Sequence, residues 1–290
     1  MPSWANAPGA SCRRRSDPLA EPVTSVKTTV VRGTSAHAAT RALPEETAVA
    51  IVLNGSTQAV MMATPADLED FAVGFALSEG IVADTGGIES LEIVEQPDGI
   101  EARLWLADNP AEAIASRRRA MAGPVGCGLC GIESLAEALR PLPTVGAGNT
   151  LTIADVDRAV NELTSAQCLN ARTRAVHAAG LFLPGQGIVL AREDVGRHNA
   201  LDKLSGAMAR RGIERGAGAV VITSRVSIEM VQKCAMAGVP VMIAISVPTA
   251  HALRLAEAAG ITLVAVARGD GFEIFTHPER IERGEQTHVA

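Results

Sequence analysis

The chain has 290 residues, 47% of them hydrophobic but only 2% aromatic, with no Tyr and a formal net charge of −6. Such a length holds one large or two ordinary domains with a real core, here built from Ala, Val, Leu and Ile; few aromatics argue against a base-stacking platform, and the negative charge against non-specific polyanion binding, so no nucleic-acid partner is expected. No apolar run reaches about 18 residues, no apolar segment follows Arg13-Arg14-Arg15, and five cysteines are an odd number for a secreted disulfide framework, so the expected location is cytoplasmic with no membrane partner.

Residues 1–45 are rich in Pro, Ala, Ser, Thr and Arg without an evident period and are expected to form a disordered lead. From Thr47 the pattern turns strand-like. Thr47 to Leu53 and Gln58 to Ala63 flank Asn54-Gly55, a dipeptide that favours the left-handed turn of a two-residue hairpin. Thr64-Pro65-Ala66-Asp67 then reads as a helix start, with Thr64 as N-cap and Pro65 in the first turn. Leu68, Phe71 and Phe75 give the helix an apolar face, and Gly80 ends it. Glu79 falls at the C-terminal end, where a carboxylate opposes the helix dipole. Strands at Ile88 to Val94 and Ile100 to Leu106 complete an α+β domain over 46–140.

A Pro- and Gly-containing linker is expected over 141–150, and a second domain over 151–290. Its first helix, Ile153 to Ala166, is capped by Thr152 and Asp155. Strands His177 to Leu183 and Ile188 to Arg192 follow, then a helix (Asn199 to Arg211), a strand (Ala219 to Thr223) and a helix (Val226 to Ala237). A strand (Val241 to Ile245), a helix (Thr249 to Ala259) and a strand (Ile261 to Ala267) finish the series. The order α-β-β-α-β-α-β-α-β, with nearly continuous apolar strands, predicts an α/β fold: a three-layer C-terminal domain behind a smaller α+β domain. It is also the element order of the cytidine deaminase-like fold. Zinc deaminases, however, place H-x-E and P-C-x-x-C at two helix starts. Here those stretches read Gly196-Arg197-His198-Asn199 and Ser224-Arg225-Val226-Ser227, which excludes that zinc chemistry.

Two features carry chemistry. The first is Gly126-Cys127-Gly128-Leu129-Cys130-Gly131, just downstream of Arg117-Arg118-Arg119. Two thiols at this spacing can hold a metal, exchange a disulfide, or hand a sulfur from one to the other. A helix start and nearby arginines would favour the thiolate, and the glycines would let the loop swing. A closed zinc site needs four ligands, and no second C-x-x-C or H-x-x-x-H is present. A thioredoxin-like motif would need a surrounding β-α-β frame.

The second feature is the polar residues at the strand ends: Arg192-Glu193-Asp194, Thr223-Ser224-Arg225, Ser246 and Arg268-Gly269-Asp270. In an open α/β sheet ligands bind beyond the carboxyl ends of strands, where helix amides suit phosphate. Arg197, Arg225, Lys233 and Arg268 would supply cations for an anionic, phosphorylated small ligand. His198, beside Asp194, Arg197 and Asn199, is a candidate functional group. His177 is as fitting for a core as for a ligand, and Cys234 reads as a buried structural thiol.

These residues resemble the formate dehydrogenase accessory sulfurtransferases, the FdhD family. The carriers are Ser78-Glu79-Gly80, the Gly126-to-Gly131 loop, the run from Arg192 to Lys203, Thr223-Ser224-Arg225, Ser227, Glu229 to Lys233, Arg268-Gly269 and Thr276-His277-Pro278. The resemblance implies a sulfur carrier that takes sulfur from a cysteine desulfurase as a persulfide. It would pass the sulfur to the molybdenum cofactor, bis-molybdopterin guanine dinucleotide, before that cofactor enters formate dehydrogenase. It further implies a homodimer, a cofactor bound as substrate and no metal of the protein's own. Cys127 would bear the persulfide and Cys130 assist it. Val266, Ala267, Arg268, Gly269, Asp270 and Gly271 would hold the cofactor, with Arg197, His198, Thr223, Ser224 and Arg225 lining its crevice. A cofactor chaperone without sulfur chemistry, or a zinc-binding module, are the alternatives. The sequence departs from the family pattern at Thr173-Arg174-Ala175-Val176-His177, where Arg174 replaces a usual glycine.

Overall fold

The computed structural model describes residues 21–107, 142–268 and 271–282. Strands β3 (Thr47–Leu53) and β4 (Ser56–Ala63) form the expected hairpin, with Asn54 and Gly55 both at positive φ. They join β5 (Ile88–Gln96) and β6 (Gly99–Leu106) in a four-stranded sheet of order β4-β3-β6-β5. One face of that sheet, with Val49, Ile51, Leu53, Ala102 and Leu104, closes over Phe71 and Phe75 of helix α1 (Leu68–Ser78).

Two expectations for this half are corrected. Val23–Arg32 and Ser35–Pro44 are not a disordered lead but the paired strands β1 and β2 of an antiparallel ribbon, turning through Gly33 at positive φ. The ribbon is largely exposed on both faces, so its sequence lacks the one-sided apolar alternation by which a strand is recognised. Helix α1, moreover, starts at Leu68 with a left-handed Asp67 as its N-cap, and Thr64 does not cap it. Thr64 is fully buried and bonded to the other half of the molecule (below).

Residues 142–150 lack regular structure and lead into β7 (Leu151–Thr152) and α2 (Ile153–Ala166). The Thr152–Asp155 capping box is complete: each side chain bonds the other residue's amide. A short helix α3 (Cys168–Thr173), absent from the expected series, follows. Next come β8 (His177–Leu183), β9 (Gly187–Asp194), α4 (Arg197–Arg210), β10 (Ala219–Ile222), α5 (Ile228–Met236), β11 (Val241–Ala244), α6 (Ala250–Ala259) and β12 (Thr262–Arg268). Strand β13 (Gly271–Thr276) also lies outside the expected series; it pairs antiparallel with β12, and β14 (Ile281–Glu282) pairs with β7.

The second sheet has the order β13-β12-β11-β10-β8-β9. Strands β10, β11 and β12 run parallel, while β8 is antiparallel to both its neighbours. Helices α4, α5 and α6 cover one face through Leu201, Leu204, Met230, Val231 and Ala256. Helix α2 covers the other through Val156, Ala159 and Leu163. The protein is therefore a mixed α/β molecule with a three-layer second half. Because β8 and β9 run antiparallel, the end of β9, the start of β8 and the carboxyl end of β10 lie along one sheet edge. Among the described residues no helix is long and apolar enough to cross a membrane.

The two halves meet where α1 crosses α4. A Cβ on Gly74 would overlap the Asp202 carbonyl, and one on Gly206 the Asp70 carbonyl, so the helices touch backbone to backbone. Only glycine permits that approach.

Candidate functional site

The run from Arg192 to Lys203 reads in sequence as one functional motif; the fold divides it in two. Most of it fastens the halves together. Arg192 donates from Nε and Nη2 to Asp70 of α1, at 2.9 and 2.6 Å. Arg210, from the end of α4, bonds the other Asp70 oxygen at 2.5 Å. Glu193 accepts from the Leu169 and Asn170 amides at the start of α3, at 2.7 and 2.8 Å, although burial still pushes its carboxyl up.

Asp194 and Lys203 form an ion pair of 2.6 Å in which neither side chain touches solvent. Asp194 also accepts from the amides of Thr64 and Gly196 and from Asn199 Nδ2. Lys203 donates to the Thr64 carbonyl, Val195 N to the Thr64 hydroxyl, and Asn199 Nδ2 to the Met62 carbonyl. One turn further on, Asp202 accepts from the Ser78 hydroxyl at 2.7 Å and from Lys233 Nζ at 2.8 and 2.9 Å. Glu79 lies 3.4 Å from the same ammonium. Burial alone would lower the Lys233 pKa, but Asp202 and Glu79 more than reverse this and hold it above the usual value. Lys233 is therefore committed to its buried pair and is not the phosphate-binding cation expected from its position. The odd placement of Glu79 against its helix dipole has the same explanation: it faces a cation from α5.

Arg197 and His198, at the start of α4, take no part in this fastening. Here the loops after β10 and β11 are laced to each other and to the end of β12. Thr223 exchanges bonds with Ala178 across β8, its amide donating at 3.1 Å and its hydroxyl accepting at 2.9 Å. The Ile245 amide bonds the Ile222 carbonyl, Val226 N bonds the Val247 carbonyl, and Val266 N bonds the Ser246 carbonyl. The fold thus brings Thr223, Ser224 and Arg225 to the same edge as Val266, Ala267 and Arg268. Arg225 and Arg268 are exposed there, whereas Ser224 and Ala267 are buried.

Val266 has φ +56 at a bulge where β12 slips against β13. A β-branched residue in the left-handed region is strained, and such strain gathers at ligand-binding positions. Gly271 begins β13, opposite Arg268. Gly269 and Asp270, and likewise Cys127 and Cys130, lie outside the described residues.

His198 sits at the start of α4, facing α5. Burial first, then the nearby charges of Lys233, Arg197 and His177, push its pKa down to about 3, so the imidazole is neutral at physiological pH. His177 is lowered as well, by burial and by Arg197 against the opposing effect of Asp194. The Nε2 atom of His198 lies 4.0 Å from Glu229 Oε2, beyond hydrogen-bond reach. Arg197 Nε, His198 Nε2, Ser227 Oγ and Glu229 Oε2 are all buried without a hydrogen-bond partner among the described residues. Buried polar atoms are rarely left so, and these four belong to the starts of two helices, α4 and α5.

Sequence reading names Arg197 and His198 as candidates but gives Ser227 and Glu229 no role of their own. A serine before a helix and a glutamate in its first turn are ordinary helix-start residues, and nothing local to them reports burial. Among the described residues no group of three or more His, Cys, Asp or Glu is placed to hold a metal ion. Cys234 is buried in the core, which pushes its thiol pKa up, as expected for a structural thiol.

The model of the FdhD/NarQ family matches residues 44–282. The sulfur carrier protein FdhD of Agrobacterium fabrum is 54% identical over 83% of this chain and 89% of its own. The protein of the same name from Brucella abortus is 57% identical over 83% of this chain and 90% of its own, and that from Bordetella bronchiseptica 46% over 91% and 95%. A crystal structure of a protein described as a putative formate dehydrogenase accessory protein, from Desulfotalea psychrophila, superposes with a TM-score of 0.73 at 28% identity. It covers 90% of this chain and all of that one.

Proposed function

The chain belongs to the FdhD/NarQ family, and from that premise we propose that it is a sulfur carrier serving formate dehydrogenase. The observation that carries the proposal is the family match through residues 44–282, a span that includes the cysteine loop, with relatives more than half identical named as sulfur carriers.

In this reading the Cys127 thiolate attacks the terminal sulfur of a cysteine desulfurase persulfide. A new S–S bond forms at Cys127 as the old one breaks, and the desulfurase leaves as its thiolate. The sulfur then passes to the molybdenum cofactor, bound as bis-molybdopterin guanine dinucleotide. Cys130 either relays the sulfur or attacks Cys127, forming a disulfide and releasing the outer sulfur as sulfide. The cofactor's phosphates meet Arg197, Arg225 and Arg268 in the crevice, with Thr223 and Ser224 alongside and the stretch Val266 to Gly271 against its backbone. The exposed arginines, the helix starts beside them and the strain at Val266 support this assignment. The order and direction of β8 to β12 support the deaminase-like reading of this half. A homodimer working in the cytoplasm completes the proposal.

The test is mass spectrometry after incubation with a cysteine desulfurase and free cysteine. The expected product is a reductant-labile extra sulfur on Cys127, lost in Cys127→Ala. Absence of any adduct on Cys127 and Cys130 would leave a cofactor chaperone as the function.

A further inference from the structure

Beyond the Gly74–Gly206 crossing, α1 and α4 run on to their last turns, and α5 ends against both. Between the three helix ends the structure leaves a cavity of about 150 Å³. It is well removed from the helix starts. Met208, on its wall, stands about 16 Å along α4 from Arg197, since each helical residue advances about 1.5 Å. Both halves of the molecule build it, Leu77 and Asp84 from the first, Ser205, Met208 and Met236 from the second. Arg215 donates to the Ala83 carbonyl at 2.9 Å and so ties the two rims together.

The wall decides what fits. Leu77, Met208, Ile213 and Met236 are its larger apolar side chains, and an apolar space of this volume holds a six-membered ring. Methionine thioethers are polarisable and adapt to the edge of such a ring. The charged groups are already engaged. All three Lys233 protons are taken, by the Ser78 hydroxyl at 2.9 Å and by the two Asp202 oxygens at 2.8 and 2.9 Å. Ser78 in turn gives its own proton to Asp202. An anion would find no free ammonium proton there, and a cation would have to compete with Lys233 for Asp202. At the mouth, Asp84 and Arg215 are both exposed and opposite in charge. Ser205 is the exception. It is only 6% exposed and lines the cavity, and its hydroxyl makes no hydrogen bond among the described residues. Buried polar groups rarely go without a partner, and a hydroxyl can both donate and accept.

We propose that this cavity is a second ligand site, for a small neutral ring carrying one hydroxyl, with the ring between Met208 and Met236 and the hydroxyl on Ser205. The site neither uses nor requires the crevice at the helix starts. Because both halves line it, a molecule bound there holds only their docked arrangement, and occupancy raises the thermal midpoint by mass action.

The test uses phenol as the probe, titrated into the full chain carrying methyl-labelled methionine and followed by nuclear magnetic resonance. The Met208 and Met236 methyl signals, assigned by single Met→Leu replacements, should shift together and saturate, while Met61 and Met62 on the first sheet stay in place. Ser205→Ala should weaken phenol roughly 3- to 10-fold, the loss of one neutral hydrogen bond. Toluene, which lacks the hydroxyl, should bind wild type about as weakly. Ala209→Leu, which fills the cavity from α4, should abolish the response, and a thermal melt reports its folding. Should it melt early, Ala237→Leu fills the same space from the end of α5.

No saturable shift of Met208 and Met236 up to the solubility of phenol overturns the site. So does a response that survives in a folded Ala209→Leu or Ala237→Leu chain. Equal binding of phenol and toluene, unchanged in Ser205→Ala, overturns the hydroxyl-bearing ligand and with it the proposal. The persulfide assay on Cys127 stands or falls apart from all three.

Discussion

Lys203 closes the run that looks most functional, yet it is fully buried against Asp194 at 2.6 Å and against the Thr64 carbonyl at 2.9 Å. Replacing it by Met keeps the volume and removes the charge. Asp194 would retain three neutral donors, the amides of Thr64 and Gly196 and the Asn199 amide group, but no counter-ion. Breaking a buried ion pair from one side costs about 3–5 kcal/mol, and the retained donors place this case near the lower end, about 3 kcal/mol. The orphaned Thr64 carbonyl adds about 1 kcal/mol. A total of about 4 kcal/mol is a large share of the roughly 5–15 kcal/mol by which domains are stable. Asp194→Asn alone strands the ammonium and should cost a similar amount. The double variant carries no buried charge, so it should be about as stable as either single one, a coupling of about 3–4 kcal/mol. Urea unfolding followed by far-ultraviolet circular dichroism measures all three. A Lys203→Met protein within about 1 kcal/mol of wild type, or additive single effects, would refute the assignment of this pair to fold rather than ligand.

Gly74→Ala should cost about 3–5 kcal/mol, combining overpacking at the α1–α4 crossing with loosening of the Ser78–Asp202–Lys233 bonds; its thermal midpoint should drop well below that of a Leu77→Ala control on the same helix only if the helices touch as described. Arg174 holds φ +54 at the end of α3, so Arg174→Gly should stabilise by about 1 kcal/mol; a lower midpoint would mean that the side chain contributes more than the left-handed backbone costs. For His198 the folded pKa lies below the unfolded one, so its contribution is complete above the unfolded value near 6.5 and is lost as pH falls toward about 3. Going from about pH 7 to about pH 5 the wild type should lose about 2 kcal/mol more stability than His198→Asn, as compared by urea unfolding at both pH values; parallel losses would show that the imidazole is not held neutral by its surroundings.

Local chemistry made much of this fold legible from residues alone. Asn54-Gly55 turns a hairpin because both positions need positive φ, and Thr152 with Asp155 caps α2 because their side chains reach amides three residues away. The alternation of apolar strands with amphipathic helices required a sheet covered on both faces, as the clusters on its two sides are. Arg174 was visible as a departure from a usual glycine, and its left-handed backbone gives the reason glycine is usual there. The meeting of strand ends and helix starts was legible too, since it follows from the order of the elements.

Tertiary contacts decided what the polar residues do. Asp194 and Thr64 are 130 positions apart, and Ser78 and Lys233 are 155 apart; no pattern within a window of sequence can report that they meet. A charged residue reads the same in a one-dimensional string whether it faces water, a ligand or a counter-ion across a domain boundary. Burial separates these cases, because an ion taken from water must find its partner within the fold. That is why Arg192, Asp194, Asp202, Lys203 and Lys233 proved to be fastenings, while Arg197, His198, Ser227 and Glu229 carry buried polar atoms without a partner among the described residues.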